Sequence, residues 1–238
     1  MPNQLRPQAA SLLQRLSDGE TDRSIWSELW NELYHLHGAV DACAALPALA
    51  HVAATGMSDA RSDAITLASG VLINAGGVAE EARQYDVAIT LLLNMVHDDL
   101  AVAPGEEDHA PEDFIGRLQS MLAFEDETVW AEKLDCLIEE ELELDCPACG
   151  TTICLSLGRG GTFTCTVDYG LGNVIHVPLI PASPDQLNGL GARLYQLAMT
   201  ARQPATALQI TALFGHATCP PDDHQFIPAE VTGYEWAL

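Results

Sequence analysis

Hydrophobic positions recur at helical intervals through about the first 100 residues. In DRSIWSELWNELYHLHG, Trp26, Leu29, Trp30 and Leu33 fall at i, i+3, i+4 and i+7, the buried stripe of an amphipathic helix. Ser24 is the expected N-cap and Gly38 the stop. The next segment, VDACAALPALAHVAATG, is small and apolar; its Pro47 either kinks a helix or starts a new one at Leu46. SDARSDAITLASGVLINAG opens at Ser58 and Asp59 and closes at Gly76. A longer apolar helix is predicted in AEEARQYDVAITLLLNMVHDDL, another in PEDFIGRLQSMLAF, and a last in DETVWAEKLDCLIEE. Short helices joined by turns, with alanine-rich contact faces, predict antiparallel pairs stacked as an α-solenoid. No clean internal period accompanies them, so an irregular bundle is the competing arrangement.

At Leu142 the period changes from helical to alternating. Leu142, Leu144 and Cys146 alternate with Glu143 and Asp145, Ile153, Leu155 and Leu157 with Cys154 and Ser156, and Phe163, Cys165 and Val167 alternate again after the turn LGRGGTF. Two helices, LNGLGARLYQLAMTAR and PATALQITALFG, follow before HATCPPDDHQFIP. The expected organisation is mainly α: a helical region over residues 1–141, then a smaller α+β region over 142–238 built on a β-hairpin.

The chemistry lies in that second region. Cys146 and Cys149 are spaced C-x2-C around Pro147 and followed by Gly150, which reads as one knuckle of a zinc ribbon. Cys219-Pro220 opens a weaker echo, with Asp222 where the second cysteine would stand. Zinc takes four ligands, so Cys146, Cys149 and Cys219 need one more. A histidine nitrogen beside three thiolates is commoner than a carboxylate, which ranks His224 first, then Asp222, then His216. Cys154 and Cys165 compete for the place, although a cysteine in a strand is also an ordinary small hydrophobe. The second knuckle begins 70 residues after Cys149, acceptable if the hairpin and the helix pair are an insertion between the knuckles. Four protein ligands leave no open position, so the expected Zn2+ is structural. Thioredoxin-type redox use fits less well, because Gly150 and TTICLSL lead into a strand rather than a helix.

Charge narrows the partners. Ten basic residues against 34 acidic give a net charge of −24. Phosphate recognition needs clustered Lys and Arg, so neither nucleic acid nor an anionic membrane surface is an expected ligand. A basic protein is, because a strong negative field speeds its encounter. Between Asp98 and Asp145 lie 17 acidic residues and only Arg117 and Lys133 to oppose them. Within that stretch Asp98, Asp99, Glu106, Glu107, Asp108, Glu112 and Asp113 gather around a proline-containing loop, the candidate surface for such a partner. The bland alternative is a solvated face that keeps the chain soluble. No apolar run approaches the ~20 residues of a membrane span, and the N-terminal stretch lacks a secretory pattern, so a cytoplasmic location is expected.

Other motifs are weaker. His35 and His37 diverge on a helix, His97-Asp98 lacks a second His and Asp at fitting positions, and GRGGT is more simply a hairpin turn than a phosphate loop. No nucleophile elbow, H-E-x-x-H or dinucleotide fingerprint occurs.

IWSELWNELYHLHGAVDACAALPALAHVA, together with the C-P-x-C-G knuckle and ALFGHATCP, resembles uncharacterised bacterial HEAT-like helical proteins with a C-terminal split zinc knuckle. The resemblance covers most of the length, rests on packing and metal motifs, and departs from the pattern at Asp222. Proteins of that kind often lie beside toxins, which implies a non-enzymatic immunity protein covering the active site of a basic toxin. A zinc-stabilised adaptor or regulator is the second expectation, and a metal-dependent hydrolase using His97, Asp98 and Asp99 the third.

Overall fold

The computed structural model describes residues 5–20, 22–35, 39–77, 82–101, 110–158, 160–166 and 175–232. The chain is mainly helical with a small antiparallel sheet. It divides into two compact units, one of Met1–Leu100 with Gly116–Glu132, the other of Ala101–Ile115 with Lys133–Leu238. Among the described residues no helix is long and apolar enough to cross a membrane.

The first unit is built from α1 (Pro7–Ser17), α2 (Arg23–Trp30), a π-helical turn (Asn31–His35), α3 (Ala39–Ala42), α4 (Leu46–Thr55), α5 (Ser58–Asn74), α6 (Asp86–Ala101), most of α7 (Pro111–Phe124) and α8 (Thr128–Lys133). α4 begins at Leu46 with Pro47 in its first turn, where the missing N–H costs nothing. Only Gly56 and Met57 separate α4 from α5, so the two helices return along each other. Arg61 on α5 clamps α6 by donating to Asp99 Oδ1 at 2.9 Å and to the Met95 carbonyl at 3.1 Å. A buried Ser69–Ser120 hydroxyl pair, 3.1 Å apart, joins α5 to α7.

Several local expectations shift. The buried face of α2 runs through Ile25 and Leu29 and continues at Leu33 in the π-helical turn, all at 0% exposure, while Trp26 and Trp30 are half-buried rather than core. Trp30 flanks that stripe and covers Gly70, where an added Cβ would come within 3.1 Å of its ring. Asp22, not Ser24, caps α2, since its carboxylate reaches back to accept the Ser24 N–H at 2.9 Å. Gly38 and His37 lie outside the described residues. The helix read across 126–140 is broken: after α8, α9 (Cys136–Glu139) starts afresh. Its first N–H groups bond three residues back, Leu137 to Leu134 and Ile138 to Asp135, and Glu140 adopts φ +59° to end it.

In the second unit that left-handed Glu140 turns the chain from α9 into β1 (Glu141–Asp145). β2 (Thr152–Gly158), β3 (Gly161–Thr166) and β4 (Val177–Pro178) complete an antiparallel sheet in the order β1-β2-β3-β4. The alternation is as expected for Leu142, Leu144, Ile153, Leu155 and Leu157, which are buried together on one face. Cys154 is also buried: it pairs in register with Cys165, and its thiol donates to Glu141 Oε1 at 3.0 Å. Val167 and Arg159 lie outside the described residues. α10 (Gly189–Thr200) and α11 (Pro204–Leu213) follow, then a second hairpin of β5 (Ala217–Thr218) and β6 (Gln225–Phe226), and α12 (Pro228–Val231).

Candidate metal centre

Each hairpin turn that carries a candidate ligand pair is built on the same backbone. In the first, between β1 and β2, the Cys146 N–H donates to the Thr151 carbonyl at 2.9 Å and the Gly150 N–H donates to the Cys146 carbonyl at 2.8 Å. In the second, between β5 and β6, the Cys219 N–H donates to the His224 carbonyl at 2.9 Å and the Asp223 N–H to the Cys219 carbonyl at 3.0 Å. The bonds connect equivalent positions, counted from the leading cysteine. The fifth residue of each turn has a positive φ, +69° at Gly150 and +57° at Asp223. Glycine takes that conformation freely, and aspartate is among the few other residues that tolerate it.

This correspondence puts Asp222, and not His224, in the candidate cluster. Cys149 and Asp222 hold the same place in their turns, so Asp222 points where a second cysteine would, and His224 corresponds to Thr151. Cys146, Cys149, Cys219 and Asp222 offer one ligand atom each, and all four atoms lie within 4.8 Å of one another. His224, ranked first on donor chemistry, instead closes the turn with its backbone. Its carbonyl accepts from Cys219, its N–H donates to Asp222 Oδ1 at 2.9 Å, and its exposed ring stacks toward Phe226 with centroids 6.4 Å apart. His216 is likewise held by its backbone, in an antiparallel bridge with Ile180. Neither Cys154 nor Cys165 joins the set.

The spacing fits a metal. Cys149 Sγ and Cys219 Sγ are 3.7 Å apart. Two Zn–S bonds of about 2.3 Å at a tetrahedral angle separate their sulfurs by about 3.8 Å. Three thiolates and one carboxylate suit zinc, a borderline-soft ion that accepts both donors.

Electrostatics favour the charged form of the two exposed groups and the neutral form of the buried Cys219. Hydrogen bonding to Thr151, through its side chain and then its backbone, holds the Cys149 thiol below its ordinary pKa. The Oγ1 of Thr151 is 3.3 Å from Cys149 Sγ. The His224 N–H holds the Asp222 carboxyl below the usual carboxylate range in the same way. Burial pushes the Cys219 thiol up, reinforced by its hydrogen bonds to Cys146, Cys149 and Asp222. A divalent cation among these four groups would offset that desolvation and displace the proton, and its binding would then be coupled to the fold.

Buried side chains and close packing aim the second turn at the first. Thr164 on β3, fully buried, donates its hydroxyl to the Thr218 carbonyl at 2.6 Å, one residue before Cys219. Gly215 lets the chain pass against Ile180 and Ala182, where a Cβ would collide with the Ile180 carbonyl oxygen. Thr164 gives no signal in sequence, since a threonine in a strand is unremarkable. Thr151 is visible only once the two turns are aligned.

The remaining candidate residues are placed as follows. Asp98 is exposed on α6, Asp99 is half-buried and held by Arg61, and Glu112 and Asp113 are exposed in the first turn of α7. Glu106, Glu107 and Asp108 lie outside the described residues. His97 sits 3.5 Å from Glu125, and among the described residues neither it, Asp98 nor Asp99 belongs to a metal-type grouping. Comparison with protein-family models, with curated proteins and with solved structures finds no match to this chain.

Proposed function

We propose that this chain is a non-enzymatic protein-binding protein whose second unit is held together by a structural Zn2+. In its most specific form it is an immunity protein, a HEAT-like helical scaffold whose acidic surface neutralises a basic bacterial toxin. The observation that carries the metal reading is the Cys146, Cys149, Cys219 and Asp222 set, in which each of two matched turns supplies two ligands. Four protein ligands complete a tetrahedral shell and leave no position for a substrate or an activated water. The net charge of −24 supports the partner reading, with exposed Asp98, Glu112 and Asp113 as contacts and Glu106, Glu107 and Asp108 between them in sequence.

Elemental analysis of protein purified without added zinc tests the first part, with one zinc per chain expected; folded, stable protein free of metal would refute it. The second part is tested by binding to the product of the adjacent open reading frame, expected to be a basic toxin. Association is expected to slow as salt rises, because charge steering is screened within about 10 Å at 0.1 M salt. A triple reversal of Glu106, Glu107 and Asp108 to lysine that associates as fast as wild type at low salt leaves the acidity as solvation alone.

A further inference from the structure

The four ligands are not equally protected. Cys146 and Cys219 are 2% and 0% exposed, whereas Cys149 and Asp222 face solvent. Cys149 is also the one exposed thiol of the chain; Cys43, Cys136, Cys154 and Cys165 are all buried. An oxidant arriving from solvent therefore meets Cys149 first, and the Cys219 sulfur lies 3.7 Å away on the other turn.

We propose that the cluster is a peroxide-sensitive zinc switch, in which oxidation joins Cys149 to Cys219 as a disulfide and releases the ion. The proposal rests on the zinc reading above. The Cys149 thiolate attacks the O–O bond of hydrogen peroxide, takes one oxygen as a sulfenic acid and releases hydroxide. The Cys219 thiolate then attacks the Cys149 sulfur, forms the S–S bond and expels a second hydroxide. Two electrons pass from the two sulfurs to the two peroxide oxygens, and two solvent protons convert the hydroxides to water. The sulfurs close from 3.7 Å to about 2.05 Å.

Asp222 makes this a single-step device. A carboxylate is not oxidised, so one disulfide leaves only one thiolate, Cys146, beside it. Two ligands where zinc requires four do not retain the ion. A site of four cysteines would also be left with two ligands, but those thiolates could go on to a second disulfide, which Cys146 and Asp222 cannot form.

The test uses the full-length wild-type protein, its zinc content first fixed by elemental analysis. Hydrogen peroxide is added at one equivalent with a chromogenic zinc chelator present, and disulfides are mapped by peptide mass spectrometry. The expected result is one zinc released per disulfide formed, a Cys149–Cys219 link, and unmodified Cys43, Cys136, Cys154 and Cys165. Thiol reductant plus zinc should restore the starting metal content. Protein that carries zinc and keeps it under peroxide overturns this proposal alone, as does a Cys146–Cys149 link. Protein that carries no zinc at the outset overturns the metal reading with it.

Discussion

The turn after β1 and the turn after β5 trace the same hydrogen bonds with different side chains. One offers Cys146, Cys149 and a glycine at the strained position; the other offers Cys219, Asp222 and an aspartate there. The first is anchored in a sheet whose β1 and β2 pair over five positions, from Glu141↔Ser156 to Asp145↔Thr152. The second has two pairs of its own, Ala217↔Phe226 and Thr218↔Gln225, and leans on Thr164 and on the Ile180–His216 bridge. The comparison separates what a metal turn must keep from what it can vary. The backbone that presents the ligand atoms is held in both, while the donor element differs, oxygen at Asp222 against sulfur at Cys149.

The largest effect should come from removing the buried ligand of the weaker turn. Cys219→Ser is expected to abolish metal content and to destabilise the second unit by more than about 3 kcal/mol, or roughly 6–12 °C in Tm, because structural zinc binding is folding energy. Thermal melts with and without a chelator would measure it; identical melts for variant and wild type would break the comparison at its root.

Next comes the donor difference itself. Asp222→Ala should weaken zinc by at least the ~10–100-fold that even outer-sphere changes cost, and Asp222→Cys should tighten it, since zinc favours thiolate here. Competition with a calibrated chelator reads both. Should His224→Ala instead lose the metal while Asp222→Ala keeps it, the equivalence of the two turns would be wrong.

Thr164→Val tests the support of the second turn. Loss of the hydroxyl removes the bond that the buried Thr164 gives the half-buried Thr218 carbonyl, at a cost of about 1 kcal/mol. Urea denaturation should detect it.

The smallest effect lies in the positive-φ residues. Gly150→Ala should cost about 1 kcal/mol, because a Cβ is strained in the left-handed region. Asp223→Gly should change stability by less than about 1 kcal/mol.

Much of this was legible in the sequence, and what was not has physical causes. The apolar alternation at Leu142, Leu144, Ile153, Leu155 and Leu157 marks strands because a half-buried strand has period two, and Pro47 marks the start of α4 because it tolerates only the first turn. Cys146, Cys149 and Cys219 are legible because a proline after the leading cysteine is a turn signal as well as a metal signal. The fourth ligand is a conflict between two rules. Donor preference favours His224, yet the repeat of the turn places the side chain of Asp222 with the three cysteines and uses the backbone of His224 to close the loop. Trp26 and Trp30 fit the helical period, but the period fixes a stripe only to within a position, and bulky indoles settle on its flank beside Ile25 and Leu29. The break before α9 rests on hydrogen bonds three residues apart, which helical periodicity does not encode.

The distance along the chain between the turns has a kinetic meaning. A metal clip between Cys149 and Cys219 closes a loop of 70 residues, worth about 4 kcal/mol of unfolded-state entropy in the chain-entropy treatment used for cross-links. A contact so remote in sequence is slow to find. During synthesis the first turn emerges with two ligands and no means of completing the shell until β3, α10 and α11 have followed. A bound ion would thus be captured late, and its uptake would signal that the second unit has finished folding rather than start it.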